Sequence, residues 1–198
     1  MTTRPLDRPG TRLLNHVELV YAPGERALVR RFFEALGLRV LDPQVDPVPP
    51  ELGPAAGPYL IVYLDDAVDD LIDNVVYASE VKAEQWALES ALRRRIGEDD
   101  ELRSLHDDLR AVYARLPQAM THVGIAYAST REVRDAMAQL VAIPELAERL
   151  TLSEVFEPGD LGSVDDRVTQ AFVYTDLVSV GLLLGGQQIE LQVRLDGA

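Results

Sequence analysis

The chain has no cysteine, one tryptophan and only three histidines in 198 residues. Without cysteine there are no disulfides, no thiolate metal sites and no thiol catalysis, and a reducing, cytoplasmic setting is the expectation. Long apolar runs are also missing, and no stretch approaches the roughly 20 residues that cross a bilayer, so no membrane association is expected. The first ten residues carry Arg4 and Arg8 but lack the apolar stretch of a secretory signal. Positive charge is scarce: 19 Lys and Arg stand against 33 Asp and Glu, a net charge of −14. A body this acidic repels a phosphate backbone, which argues against nucleic acid as a partner. The acid falls in short runs such as Asp65-Asp66, Asp69-Asp70 and Asp107-Asp108, which read as solvated loops and helix faces.

What is present is a repetition. Residues 16–22 read His-Val-Glu-Leu-Val-Tyr-Ala and residues 122–128 read His-Val-Gly-Ile-Ala-Tyr-Ala. Each copy opens with a histidine on an alternating apolar strand, which suggests a duplicated module with a metal ligand in each copy. In the first half the patterns predict a strand over 14–22, a helix over 25–36 ended by Gly37, and strands over 38–41, 59–64 and 74–81. The Pro-rich stretch 43–58 reads as a loop. The second half repeats the order: strands over 121–128, 151–156, 169–184 and 188–195, with a helix after the first. The helix of that half presents Val133, Ala136, Met137, Leu140 and Val141 as a buried stripe. Between the halves, 82–116 predicts two helices parted near Gly97. The second carries Leu102, Leu105, Leu109, Val112 and Leu116 as an apolar stripe that calls for a partner surface, across the modules or in a dimer. The expected fold is therefore α+β: two βαβββ modules (11–81 and 119–198) forming a curved, cavity-enclosing sheet, with a helical insert over 82–118.

Four pieces resemble the vicinal oxygen chelate superfamily, which includes glyoxalase I, extradiol dioxygenases and bleomycin-resistance proteins. They are Leu14-Asn15-His16-Val17-Glu18-Leu19, the Phe32-Phe33 to Leu36-Gly37-Leu38 helix exit, Thr121-His122-Val123-Gly124-Ile125, and Gly185-Gly186-Gln187-Gln188-Ile189-Glu190-Leu191. Together with the duplication, the resemblance covers nearly the whole chain apart from the insert. It implies metal ligands on the first strand of each module and on the last strand, which gives His16, His122 and Glu190. Two imidazoles and a carboxylate leave positions open on a divalent ion (Zn, Ni, Co, Mn or Fe) for two adjacent substrate oxygens. The resemblance then implies isomerase, epimerase or lyase chemistry through an enolate-type intermediate on a small molecule. A metal-free protein that sequesters a ligand, as bleomycin-resistance proteins do, is the alternative, and an Fe(II) extradiol dioxygenase is a further one. The chain is expected as a monomer or homodimer.

Glu18 shares the His16 face and could serve as general base. The strand near 75–77, where some relatives place a further ligand, offers none. Glu190 has a second reading, as an edge-strand carboxylate in solvent. Tyr21 and Tyr127 fall opposite the histidines, as packing residues, while Tyr77 and Tyr174 are candidate pocket residues. His106 reads as a helix-surface residue and Trp86 as the core anchor of the insert.

Overall fold

A computed structural model describes residues 14–48, 50, 57–65, 67 and 74–195. The N-terminal ten residues, the middle of the Pro-rich loop and most of the acidic loop after Asp65 lie outside the described residues. The described chain is α+β, with two four-stranded sheets, neither of them closed, and five α-helices. The first sheet comprises β1 (His16–Tyr21), β2 (Arg39–Leu41), β3 (Tyr59–Tyr63) and β4 (Val75–Glu80), in the order β1-β4-β3-β2. The second comprises β5 (His122–Ala126), β6 (Leu150–Leu152), β7 (Val168–Thr175) and β8 (Gln187–Arg194), in the order β5-β8-β7-β6. In each sheet the first strand pairs parallel with the last, and the other neighbours are antiparallel.

Helix α1 (Arg26–Ala35) connects β1 to β2 and buries Val29, Phe32, Phe33 and Ala35. It ends where the sequence predicts: Gly37 takes φ 80°, its N–H donates to the Glu34 carbonyl (2.9 Å), and the Leu38 N–H returns to the Phe33 carbonyl (3.1 Å). In the second half, α4 (Thr130–Ala142) opens on Ser129, whose side chain accepts from the Glu132 N–H, and is followed by the short α5 (Pro144–Ala147). Val133, Ala136, Met137 and Leu140 are buried as expected, but Val141 is exposed. At about 100° per residue it lies about 80° round the helix from Val133, beyond the edge of the stripe. One core draws on both halves: Leu19, Tyr21, Phe32 and Val62 join Ile125, Leu140, Val173 and Leu191 in a single cluster. The halves are stitched by a two-way backbone pairing of Val20 with Ser179 (2.8 and 3.0 Å), by the Tyr127 hydroxyl donating to the Leu36 carbonyl (2.8 Å), and by Arg149, which bridges Glu25 (2.8 Å) and Asp176 (2.6 Å). Tyr21 and Tyr127 are thus packing residues, as read from the sequence, and burial pushes the hydroxyl pKa of each upward.

The predicted 169–184 strand is shorter than its apolar pattern. It stops at Thr175, whose hydroxyl accepts the Leu177 N–H (3.1 Å), because Ser179 leaves the sheet to pair with Val20. The insert forms two helices, α2 (Ala83–Glu98) and α3 (Asp100–Arg115), and Asp99 caps the second by accepting from the Leu102 N–H. Three expectations for it change. Leu102, Leu105, Leu109 and Leu116 remain 38–58% exposed, so the stripe is not covered. Trp86 is only half-buried, and the buried residue of α2 is Glu89, whose carboxylate accepts from the Leu183 (3.2 Å) and Leu184 (3.0 Å) N–H groups. The insert is anchored by a satisfied carboxylate rather than by an indole. His106 also faces inward, with Nε2 3.2 Å from the Leu184 carbonyl, and Tyr113 packs its ring 4.5 Å from that of Tyr174. Among the described residues, no helix is long and apolar enough to cross a membrane.

Candidate functional site

In the second sheet, period-two alternation sends Ile189, Leu191 and Val193 into the core and puts Gln188, Glu190 and Gln192 on the opposite face. Because β5 lies parallel to β8, with His122 level with Gln188 and Gly124 level with Glu190, His122 belongs to that polar face too. β7 adds Gln170, Phe172 and Tyr174. Glu190 is not at an edge: β8 lies between β5 and β7, and the residue is 6% exposed.

The carboxylate is held from several sides. Oε1 accepts from the side-chain amides of Gln170 and Gln192, the latter at 3.0 Å. Oε2 stands 3.2 Å from His122 Nε2. Gly124 lies beside it, and a Cβ there would sit 3.4 Å from Oε2, in ordinary contact. On the far side of the imidazole, Nδ1 lies 2.8 Å from the Met120 carbonyl. A carbonyl only accepts, so Nδ1 carries a proton and, in the neutral ring, Nε2 presents its lone pair to the carboxylate. Two lone pairs do not face each other unaided: a proton or a cation belongs between them. A backbone carbonyl fixing the distal nitrogen is also the usual support of a metal-ligating histidine. Two atoms each about 2.1 Å from one ion are about 3.0 Å apart at a right angle and about 3.4 Å apart at the tetrahedral angle. The observed 3.2 Å falls in that interval. The same distance is that of an imidazolium N–H donating to the carboxylate, so the geometry of His122 and Glu190 is compatible with a shared proton as well as with two neighbouring positions on a cation.

His16 starts β1 of the other sheet. It is exposed, its ring 5.9 Å from that of Tyr77, and it lines a small cavity of about 60 Å³ together with Val123 and Gly124. It thus lies across the β1–β5 seam from the pair and is not joined to it. Among the described residues, no three His, Cys, Asp or Glu side chains gather as a metal-binding group. Glu18 is exposed on the same strand, and its side chain makes no hydrogen bond or ion pair among the described residues. Its register partner on β4 is Tyr77, just as Glu190 is the register partner of Gly124. Tyr77 therefore occupies in the first sheet the place that Glu190 holds in the second, and its ring packs 5.5 Å from Tyr59. Tyr174 packs under Tyr113 and donates to the Gly185 carbonyl (3.2 Å).

Sequence reasoning named His122 and Glu190, which the structure sets 3.2 Å apart, but it gave no role to Gln170 or to the Met120 carbonyl. Strand alternation on β7 is the only signal for Gln170, and nothing in the sequence marks a backbone carbonyl. Comparison with protein-family models, with curated proteins and with solved structures finds no match to this chain.

Proposed function

We propose that the two sheets are duplicated βαβββ modules (11–81 and 119–198), with 82–118 as the insert, and that the chain is a glyoxalase-like protein of the vicinal oxygen chelate type. In this reading His122, Glu190 and His16 hold a divalent cation, and a small molecule with two neighbouring oxygens binds beside them. The observation that carries it is the pairing of His122 Nε2 with Glu190 Oε2 at 3.2 Å, with Nδ1 already committed to the Met120 carbonyl. His16 completes the set by turning its exposed ring across the seam toward Gly124, with which it shares a cavity. A bound cation supplies Lewis acidity that stabilises an enolate-type oxyanion. The chain's own residues do the rest. Gln170 and Gln192 orient the carboxylate, Met120 fixes the imidazole tautomer, and Glu18 is the base that moves the substrate proton.

One observation favours a second reading, a ligand-sequestering protein without metal: a tyrosine stands at the position in the first sheet that matches Glu190. Metal content decides between them. After reconstitution with Zn, Ni, Co, Mn or Fe, native mass spectrometry of the wild type is expected to show one ion per chain, and His122→Ala and Glu190→Ala to show none. A wild type that takes up no ion, or a His122→Ala protein that keeps it, sinks the chelate reading. Retention of iron with oxygen uptake on catechols would move the assignment to the dioxygenase.

A further inference from the structure

The helical insert leaves an apolar seam uncovered. Helices α2 and α3 are joined by Asp99 alone and double back on each other: Glu89 of α2 accepts the Leu184 N–H (3.0 Å), while His106 of α3 stands 3.2 Å from the Leu184 carbonyl. One side of α3 reaches the body of the protein, through His106, through Arg110, whose guanidinium lies 5.9 Å from the Tyr174 ring, and through Tyr113, packed on that same ring. None of the 16 residues of α3 is buried by the described residues. A free helix of that length is marginal in water, and covering an apolar face is what stabilises it. The face here is Leu102, Leu105, Leu109, Val112 and Leu116, at alternating steps of three and four, the a/d spacing of a helix that packs along another. Its four leucines are exposed, as are Leu88 and Leu92 of α2.

Charge and symmetry together say what covers this seam. Of the 19 Lys and Arg, seven lie in 82–116, against eight of the 33 Asp and Glu, and one of those eight, Glu89, is buried. The rest of the chain holds twelve basic against twenty-five acidic residues, so a second body of charge −14 meets the least repulsion at the insert. The seam also reads alike from both ends, because Leu102 and Leu116 stand seven residues either side of Leu109. Glu101 near one end and Arg115 near the other are exposed and have no ion-pair partner among the described residues. A second α3 laid antiparallel across Leu109 puts leucine on leucine and sets acid against base at both ends. Such self-complementarity is what a two-fold dimer requires of its interface. Two hairpin faces of about 24 Å by 20 Å cover roughly 1,000 Å² in total, which reaches the size of a specific interface.

We propose that the α2–α3 hairpin is a dimer interface, packing on the same hairpin of a second copy of this chain about a two-fold axis near Leu109. The four helices form one bundle with the leucines at its centre. The side of α3 that carries His106, Arg110 and Tyr113 stays on its own body, so the two copies meet without rearrangement.

Sedimentation equilibrium of the full chain is expected to find a dimer at about 10 μM. Leu105→Glu/Leu109→Glu puts good helix formers at exposed positions, and is expected to raise the dissociation constant at least about a hundredfold, the worth of two leucines returned to water. Val141→Glu/Val164→Glu adds the same charge at exposed positions outside the insert and is expected to stay within about threefold of the wild type. A milder variant reads the seam directly. The chain has no cysteine, so Leu109→Cys supplies a single thiol, and a short bismaleimide is expected to join two copies through it but not through Val141→Cys. A wild type that is monomeric at about 100 μM would overturn the proposal. So would a dimer that survives Leu105→Glu/Leu109→Glu, or cross-linking no faster at 109 than at 141. A monomer whose α3 amides are nonetheless protected from hydrogen exchange would give the seam to another segment of this chain, and would overturn it too.

Discussion

Gly186 shows how much can rest on one residue. It takes φ 66° and ψ −174°, and a Cβ there would stand 2.5 Å from the Tyr174 ring and hydroxyl. That backbone region belongs to glycine almost alone. Gly186→Ala is expected to lower stability by about 2–3 kcal/mol in urea melts, through strain and displacement of Tyr174. Asp42 is a second case. Burial would raise its carboxyl pKa, but hydrogen bonds from Arg26 (2.7 Å at the shortest) and from the Gln44 N–H outweigh burial and hold it below its ordinary 3.8. A group with a depressed folded pKa contributes stability above its unfolded value and loses it as pH falls through the folded one. Asp42→Asn should therefore cost about 2–3 kcal/mol at pH 7, and the difference from wild type should shrink steadily below about pH 4. A gap that is constant down to pH 3 would show that the carboxylate charge is not what matters. Legibility at this scale followed residue type. His16, His122 and Glu190 stand out because they are rare or misplaced on apolar strands, and Gly124 stands out as the repeat partner of Glu18. The hydrogen bond from His122 to a backbone carbonyl has no trace in the sequence.

At the scale of elements, local pattern carried far. Strand starts, the Gly37 stop and the break between α2 and α3 follow from alternation, period and capping chemistry. The failures share one cause: periodicity says that a face is apolar, not what lies against it. The leucine stripe of α3 was readable but its exposure was not, and the end of β7 depends on a pairing with distant β1. Glu89 is the sharpest instance. A glutamate in a helix reads as surface, yet it is fully buried and ties the insert to residues 183 and 184 by two backbone N–H groups. Glu89→Ala is expected to cost about 2–3 kcal/mol, since a buried and a half-buried N–H donor lose their acceptor. In hydrogen exchange the Leu183 and Leu184 amides should lose protection before those of β7 and β8. Unchanged protection there would mean that the β7–β8 connection is held elsewhere.

For the whole molecule, the duplicated pattern implies two halves, but the shared core and the Val20–Ser179, Tyr127–Leu36 and Arg149 links bind them into one folding unit. Thermal unfolding is therefore expected as one transition by circular dichroism and by scanning calorimetry. Tyr127→Phe should shift both probes together, by about 1 kcal/mol for the lost hydrogen bond. Two separate transitions would mean that the halves fold apart. The same seam brings His16 of one sheet alongside Gly124 of the other, as the proposed cation site requires. In the proposed chelate, one cation draws its ligands from both sheets. Zinc-edge X-ray absorption of the reconstituted protein tests it most directly. Scattering from two imidazoles is expected in the wild type and from one in His16→Ala. A spectrum that shows a single imidazole in both proteins would contradict it.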